Sequence, residues 1–279
     1  MDPKKINITI IGSTGKIGLS LARKYLSENY SVNLSYRSQK KKSLLKKNLN
    51  FSHTNKKLKL FKFNFSSEKN INQSIKKNKN IFLKTDLLII TVAELGEISN
   101  FFSINIKKFK KTFFINFLFY VLFFRHLSSI LKRKKKMLVI LFSGGGSTSY
   151  RENFSSYSLT KFCLVKFTEI ISYEILNKDI RFNIIAPGII NSSMTKKILN
   201  NKSKVSKYEL IKLKNNLQYS KDNINKIYKT INFLNSKNGK LISGKLISSC
   251  WDNIQAMKKS KFNKLIKDDF YTLRRKDFN

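Results

Sequence analysis

An apolar run, Ile6 to Ile11, leads without interruption into Gly12-Ser-Thr-Gly15-Lys-Ile-Gly18. Beyond the first glycines, Ile17, Leu21, Ala22, Tyr25 and Leu26 recur three and four residues apart, the spacing that puts side chains on one helix face. The chain therefore opens as strand, glycine turn, helix. The same alternation continues downstream, with strand-like runs expected at Ile6 to Ile11, Val32 to Tyr36, Leu58 to Phe63, Leu87 to Val92, Met137 to Phe142, Arg181 to Ala186 and Leu241 to Ile247. Several are continuously apolar, as strands buried on both faces must be. Short apolar strands separated by helical patterns predict an α/β fold, a parallel sheet of about seven strands covered by helices on both faces.

The glycine turn carries the first functional expectation. Glycines after a strand let the backbone turn sharply and approach a pyrophosphate, while the N-terminus of the following helix attracts the anion. Gly12, Ser13, Thr14, Gly15, Lys16, Ile17 and Gly18 are thus candidate dinucleotide contacts, and the sheet is expected to be of the doubly wound Rossmann type. The end of the second strand reads Tyr36-Arg37-Ser38. A basic residue there suits the 2′-phosphate of NADP, where an acidic one would bind the ribose hydroxyl of NAD. Arg37, with Lys16 as a second charge-assisted contact, favours NADP(H) and leaves NAD(H) possible.

Composition limits the alternatives. The 279 residues carry a net charge of +40, which attracts nucleic acid and anionic membranes non-specifically. Yet Gly (10) and Pro (2) are scarce beside abundant Lys, Asn, Ile and Phe, the pattern of an AT-rich genome, and no nucleic-acid motif accompanies the charge. The run Lys132-Arg-Lys-Lys-Lys136 falls where a long apolar helix should end, and cations are favoured there by the helix dipole. Phe113 to Phe124 is about 12 residues against the roughly 20 needed to span a bilayer and contains Asn116, so a buried helix is expected. Two distant cysteines, Cys163 and Cys250, suggest neither a disulfide framework nor a zinc site. With no room for a signal peptide before Ile6, a reducing, cytoplasmic setting is the expectation. Residues 37–57 are polar and basic and read as a mobile connection. No linker or repeat divides the chain, so one domain, 1–279, is expected.

The chemistry-bearing cluster lies in the middle. Ser143 stands fourteen residues before Tyr157, and Tyr157-Ser-Leu-Thr-Lys161 opens a helical pattern whose apolar residues Phe162, Val165, Phe167 and Ile170 read as a core stripe. Tyr-x-x-x-Lys also occurs at Tyr36/Lys40 and Tyr208/Lys212, so the pair alone is not specific. A tyrosine four residues before a lysine shares its helix face, and an ammonium there can lower a phenol's pKa from about 10 toward working pH.

Together with the glycine turn and Asn183-Ile-Ile-Ala-Pro187-Gly188, these residues make the chain resemble the short-chain dehydrogenase/reductase family over almost its whole length. The resemblance implies an NAD(P)-dependent hydride transfer between the coenzyme and a ketone or secondary alcohol. It implies Tyr157 as general acid and base and Ser143 as donor to the substrate oxygen. Lys161 would hold the nicotinamide ribose, and Asn116 would anchor a proton-relay water. Pro187, Gly188, Ser192 and Met194 fall where the family contacts the carboxamide end of the coenzyme. Asn64 stands where an Asp commonly lines the adenine pocket, and Ile90-Thr-Val-Ala93 replaces the family's Asn-Asn-Ala-Gly, leaving Ala93 as the coenzyme contact. The glycines are spaced 3 and 3 where many members show 4 and 2. Dimers or tetramers through the helices bearing Asn116 and Tyr157 are implied.

The Ser143-Gly-Gly-Gly-Ser147 and Asn153-Phe-Ser-Ser-Tyr157 segments look like a subgroup distinct from the bacterial 3-oxoacyl-carrier-protein reductases. That activity, acting on an acidic carrier, and phosphorylated or nucleotide-linked sugars are alternatives that the basic surface would favour. A non-catalytic basic binding protein on the same fold is another. The substrate loop is expected at about 194–234 and a basic tail at about 250–279. Trp251 would either lid the cleft or pack the tail down.

Overall fold

A computed structural model describes residues 6–49, 57–257, 263–266 and 270–274. Seven strands form one sheet in the order β3-β2-β1-β4-β5-β6-β7, every neighbouring pair parallel. They are β1 (Asn7–Ile11), β2 (Ser31–Tyr36), β3 (Leu58–Lys62), β4 (Leu87–Ile90), β5 (Met137–Phe142), β6 (Ile180–Ala186) and β7 (Leu246–Ser248). The helices are α1 (Lys16–Ser27), α2 (Gln39–Asn48), α3 (Glu68–Lys77), α4 (Lys79–Lys84), α5 (Ile106–Phe113), α6 (Phe119–Leu131), α7 (Ser155–Glu174), α8 (Ser193–Leu199), α9 (Lys207–Leu217) and α10 (Ser220–Asn235).

The period of two along each central strand divides its side chains between two cores. Ile8, Ile10, Leu87, Ile89, Leu138 and Ile140 join one layer with Leu21, Ala22 and Tyr25 of α1 and Ile224, Ile227 and Ile231 of α10. Ile11, Leu88, Ile90, Val139 and Leu141 join the other, with α3, α6 and Leu164 and Val165 of α7. Phenylalanine dominates this second layer. Phe63, Phe82, Phe119 and Phe123 meet at centroid separations of 5.7 to 6.5 Å, several edge to face, an arrangement the ring quadrupole favours.

The chain places β2 and β3 on one side of β1 and β4 on the other, so the strand order reverses between β1 and β4. Loops leaving the carboxyl ends of those strands diverge and open a crevice there.

Several expectations need correction. Part of 37–57 is not a loose connection: Ser38 accepts from the Lys41 N–H to cap α2, and Leu45 is buried on the core. Residues 50–56 lie outside the described residues. The last strand is shorter than expected, because Gly244 sits at φ +76° and Leu241 is exposed, so pairing begins only at Leu246. Of the stripe expected in α7, Val165 and Phe167 pack on the second core layer beside Leu164, whereas Phe162 and Ile170 point outward. The Phe113 to Phe124 run belongs to a longer continuous helix, Ile106–Leu131, which is long and apolar enough to cross a membrane by length and composition. Its Phe119, Tyr120, Phe123 and Leu127 are fully buried in the second core layer. A π-helical segment, Phe114–Leu118, joins α5 to α6 and carries Asn116.

Candidate active site

A cleft of about 1010 Å³ runs over the carboxyl ends of the strands, from Gly15, Lys16 and Ile17 past Thr91 and Ala93 to Ser143, Tyr157 and Lys161. Pro187, Gly188, Ser192 and Met194 line the same cleft, so the four sequence segments converge.

At the nucleotide end the glycines have unequal roles. Gly12 has φ +87°, and a Cβ on it would come within 2.7 Å of Thr91 Oγ1; a Cβ on Gly18 would meet Gly12 O and the Ser13 Cα at 2.9 Å. Both are packing glycines that allow the helix to sit on the sheet. Gly15, the residue preceding α1, is exposed, and a Cβ there would meet only Gly12 O, at 3.3 Å. It forms the open cradle at the helix N-terminus. Ser13 is fully buried and its hydroxyl donates to Ser35 O, so its side chain is turned away from the cleft. Thr91 was not expected from the sequence. Its hydroxyl donates to Gly12 O (3.0 Å) and Ile11 O (3.3 Å), tying the turn to the end of β4.

Arg37 and Asn64 lie outside the cleft lining, beyond the end of β2 and β3. Arg37 is exposed, its guanidinium 5.6 Å from the Phe65 ring centroid. The Asn64 side-chain oxygen accepts from the Ser66 N–H. Thr14 is half-buried in the turn itself.

At the other end, Tyr157 and Lys161 lie one turn apart on α7 and are both buried. The other two Tyr-x-x-x-Lys pairs have exposed lysines, and Tyr208 is itself exposed. Burial distinguishes the one pair from its sequence duplicates. The Lys161 ammonium donates to Phe142 O (2.9 Å) and sits 5.7 Å from the Tyr157 ring centroid. The Tyr157 hydroxyl abuts Gly144, where any side chain would collide with the ring. Ser143 Oγ donates to Ser147 Oγ at 2.8 Å, a partner the sequence did not single out.

The electrostatics differ from the simple expectation. Burial raises the Tyr157 phenol above its ordinary range, and the opposing influence comes from Arg151. Burial also lowers Lys161, to about 7, because a desolvated ammonium loses its hydration.

Asn116 does not reach the cleft. Its side chain accepts from Glu94 N–H (2.8 Å) and donates to Glu94 O (2.8 Å) and Thr160 Oγ1 (3.2 Å). It thus clamps the loop after β4 to the helix bearing Lys161. Ser192 caps α8 through a reciprocal pair with Thr195. Met194 packs on a small apolar cluster that includes Tyr157, Phe154 and Leu213 of α9. The stretch 194–234 holds α8, α9 and α10; α10 is a core helix, and α8 and α9 cover the cleft. Trp251 is 76% exposed at the cleft rim, so it does not pack the tail. That work falls to Ile254 and Leu265, both buried, and to Leu246 N–H, which donates to Tyr271 O.

Solved structures share this fold. ElxO solved with NADPH superposes with a TM-score of 0.70 at 20% identity, covering 88% of this chain and 97% of its own. A short-chain dehydrogenase of Shigella flexneri solved with NADP gives 0.72 at 16%, covering 89% and 100%. Levodione reductase gives 0.74 at 17%, covering 89% and 99%. A search of the curated proteins finds no match. Residues 6–203 match the family model described as short chain dehydrogenase, and with the parallel sheet and its glycine turn this establishes that the chain belongs to the short-chain dehydrogenase/reductase family of oxidoreductases.

Proposed function

We propose that the protein interconverts a ketone and a secondary alcohol with a nicotinamide coenzyme, NADP(H) in preference to NAD(H), in one domain whose substrate-covering part is α8 and α9. The observation carrying this reading is the buried Tyr157/Lys161 pair facing a cleft that continues to the open cradle at Gly15. The residues fit such a coenzyme. Gly15, Lys16 and the N-terminus of α1 suit a pyrophosphate, Arg37 and Lys16 a 2′-phosphate, and Pro187, Gly188, Ser192 and Met194 the carboxamide end. Bound there, the nicotinamide would supply or accept the hydride.

The protein's part is proton chemistry and alignment. In reduction the Tyr157 hydroxyl donates its proton to the carbonyl oxygen as negative charge develops there, and in oxidation it takes the proton back. Ser143 Oγ, its single proton redirected from Ser147 Oγ, donates to the same oxygen, and Ser147 can then donate back to Ser143. Lys161, released from Phe142 O, turns to the ribose hydroxyls. Asn116 acts from behind, holding the α7 turn and the β4 loop in register. The NADP-bound relatives support the coenzyme preference.

The cleft gives little support to strongly anionic substrates. Among the described residues, five basic and three acidic side chains line it, Lys16, Arg151, Lys161, Lys212 and Lys226 against Glu152, Glu209 and Asp252. The whole chain has 56 and 16. Positive charge is spread over the surface rather than focused on the site. A small carbonyl compound is therefore the substrate class proposed, ahead of a carrier-linked or phosphorylated one.

Outward-facing Leu159, Phe162 and Ile170 of α7 and Leu118 beside Asn116 support assembly into dimers or tetramers. Sedimentation at low and high salt checks this: repulsion between +40 chains makes association increase with salt, and a monomer at every salt concentration contradicts it.

The direct test is Tyr157→Phe, assayed with NADPH and a panel of ketones. Turnover should vanish while coenzyme fluorescence titrations remain nearly unchanged. Turnover within tenfold of wild type, or NADH bound ten times more tightly than NADPH, would contradict the acid/base role or the coenzyme preference respectively.

A further inference from the structure

The loop between β5 and α7 carries a charge that the reaction scheme above leaves unused. Arg151 lies beside the glycines that flank Ser143: its side-chain atoms are the nearest neighbours of a Cβ built on Gly145, and its Cβ is 3.2 Å from one built on Gly146. Its guanidinium stacks 3.8 Å from the ring centroid of Phe154, a buried residue three positions before Tyr157. From α9, Glu209 Oε1 receives both Nε (3.0 Å) and Nη2 (2.6 Å). The pair is largely sheltered, with side-chain exposures of 13% and 24%. One turn further along α9, Leu213 is buried in the same small cluster as Phe154 and Tyr157. A single helix face thus docks on the active-site loop through one apolar and one ionic contact.

We propose that Arg151 is a positioning residue that sets the acidity of Tyr157, and that Glu209 tempers it, so that seating of α9 and the strength of the proton donor are linked. The inference rests on the reading of Tyr157 as general acid and base.

The physical reasons are three. An arginine remains protonated throughout the working range, whereas Lys161 is brought down to about 7 by burial and is only partly charged near neutral pH. In a sheltered site a nearby cation favours the phenolate, and charge effects there are screened much less than on the surface. Among the described residues, Lys161 on its own helix and Tyr120 on α6 are the other titratable groups placed against Tyr157, and Glu152 in the loop and Lys212 on α9 line the same cleft. None of these is both permanently charged and fixed by stacking and paired hydrogen bonds as Arg151 is.

Two substitutions that break the same ion pair separate this role from a structural one. Arg151→Met removes the cation and should raise the apparent pKa read from the pH–rate profile, by about half a pH unit or more. Glu209→Gln removes the countercharge and should move it the opposite way. The double variant should lie between them, and Arg151→Lys, which keeps the charge but loses the stack on Phe154 and one of the two N–H bonds to Glu209, should fall between wild type and Arg151→Met. Loss of a merely structural latch would shift both single variants in the same direction, or neither, and would overturn the proposal. The same titration, followed by 13C NMR of protein labelled at tyrosine Cζ with Tyr157→Phe to assign the signal, requires no turnover. If no ketone is reduced by the wild type, the proposed function fails, while the NMR shifts still decide whether Arg151 and Glu209 act on Tyr157.

Discussion

Two adjacent glycines should respond in opposite ways to the same added methyl group. Neither Gly144 nor Gly145 occupies the left-handed region, so alanine is conformationally permitted at both. A Cβ on Gly144 would lie 2.9 Å from Cε1 and Cζ of Tyr157, whereas carbon atoms normally rest about 3.5–4.0 Å apart. The ring must retreat by at least about 0.6 Å, into a pocket already packed by Phe154 and Leu213. Overpacking of this kind costs about 1–3 kcal/mol, and a reacting group misplaced by roughly 1 Å loses on the order of a hundredfold in rate. A Cβ on Gly145 would meet only Arg151 atoms, at 3.7 to 3.8 Å, an ordinary contact. Gly145→Ala should therefore leave turnover within about twofold and stabilise the fold by about 0.4–1 kcal/mol through the unfolded chain. Urea denaturation reads the stabilities, NADPH fluorescence the coenzyme affinity, and ketone turnover the rate. Equal stability and equal rate for the two variants would refute the placement of the Tyr157 ring against Gly144.

A Cβ on Gly15 meets Gly12 O at 3.3 Å and otherwise open cleft, so Gly15→Ala should lower denaturant stability by no more than about 1 kcal/mol while coenzyme affinity falls about tenfold or more by fluorescence titration; unchanged affinity would contradict the cradle. Lys161 gives a pH signature. Its folded pKa of about 7 lies below the unfolded value of about 10.4, so the unfolded chain binds more protons between those limits. Stability should then rise with pH across that window, by on the order of a few kcal/mol. Lys161→Met should flatten that slope and be more stable than wild type at neutral pH; denaturation midpoints from pH 6 to 9 check both.

The fold was legible because its signals are local. Strands buried on both faces are apolar throughout, and Gly12 and Gly18 fit a strand that turns tightly into a helix packed against it. Where local signals failed, tertiary packing had decided. A lysine-rich segment became α2 because Ser38 caps it and Leu45 finds the core. Residues Leu241 to Lys245 were apolar enough for a strand, yet Gly244 turns the chain before pairing starts.

The site divides in the same way. Sequence alone determined which residue types are present at which spacing, and so named Ser143, Tyr157, Lys161 and the Pro187-Gly188 segment together. It could not say which of three Tyr-x-x-x-Lys pairs is desolvated, because burial depends on what packs against a helix rather than on the helix itself. Nor could it show that Ser147 orients Ser143, that Thr91 locks the glycine turn, or that Asn116 grips Glu94. The pairing of Arg151 with Glu209 spans 58 residues. Such contacts exist only once the sheet has brought distant loops to the same edge, and with them the electrostatic environment that decides how strongly Tyr157 holds its proton.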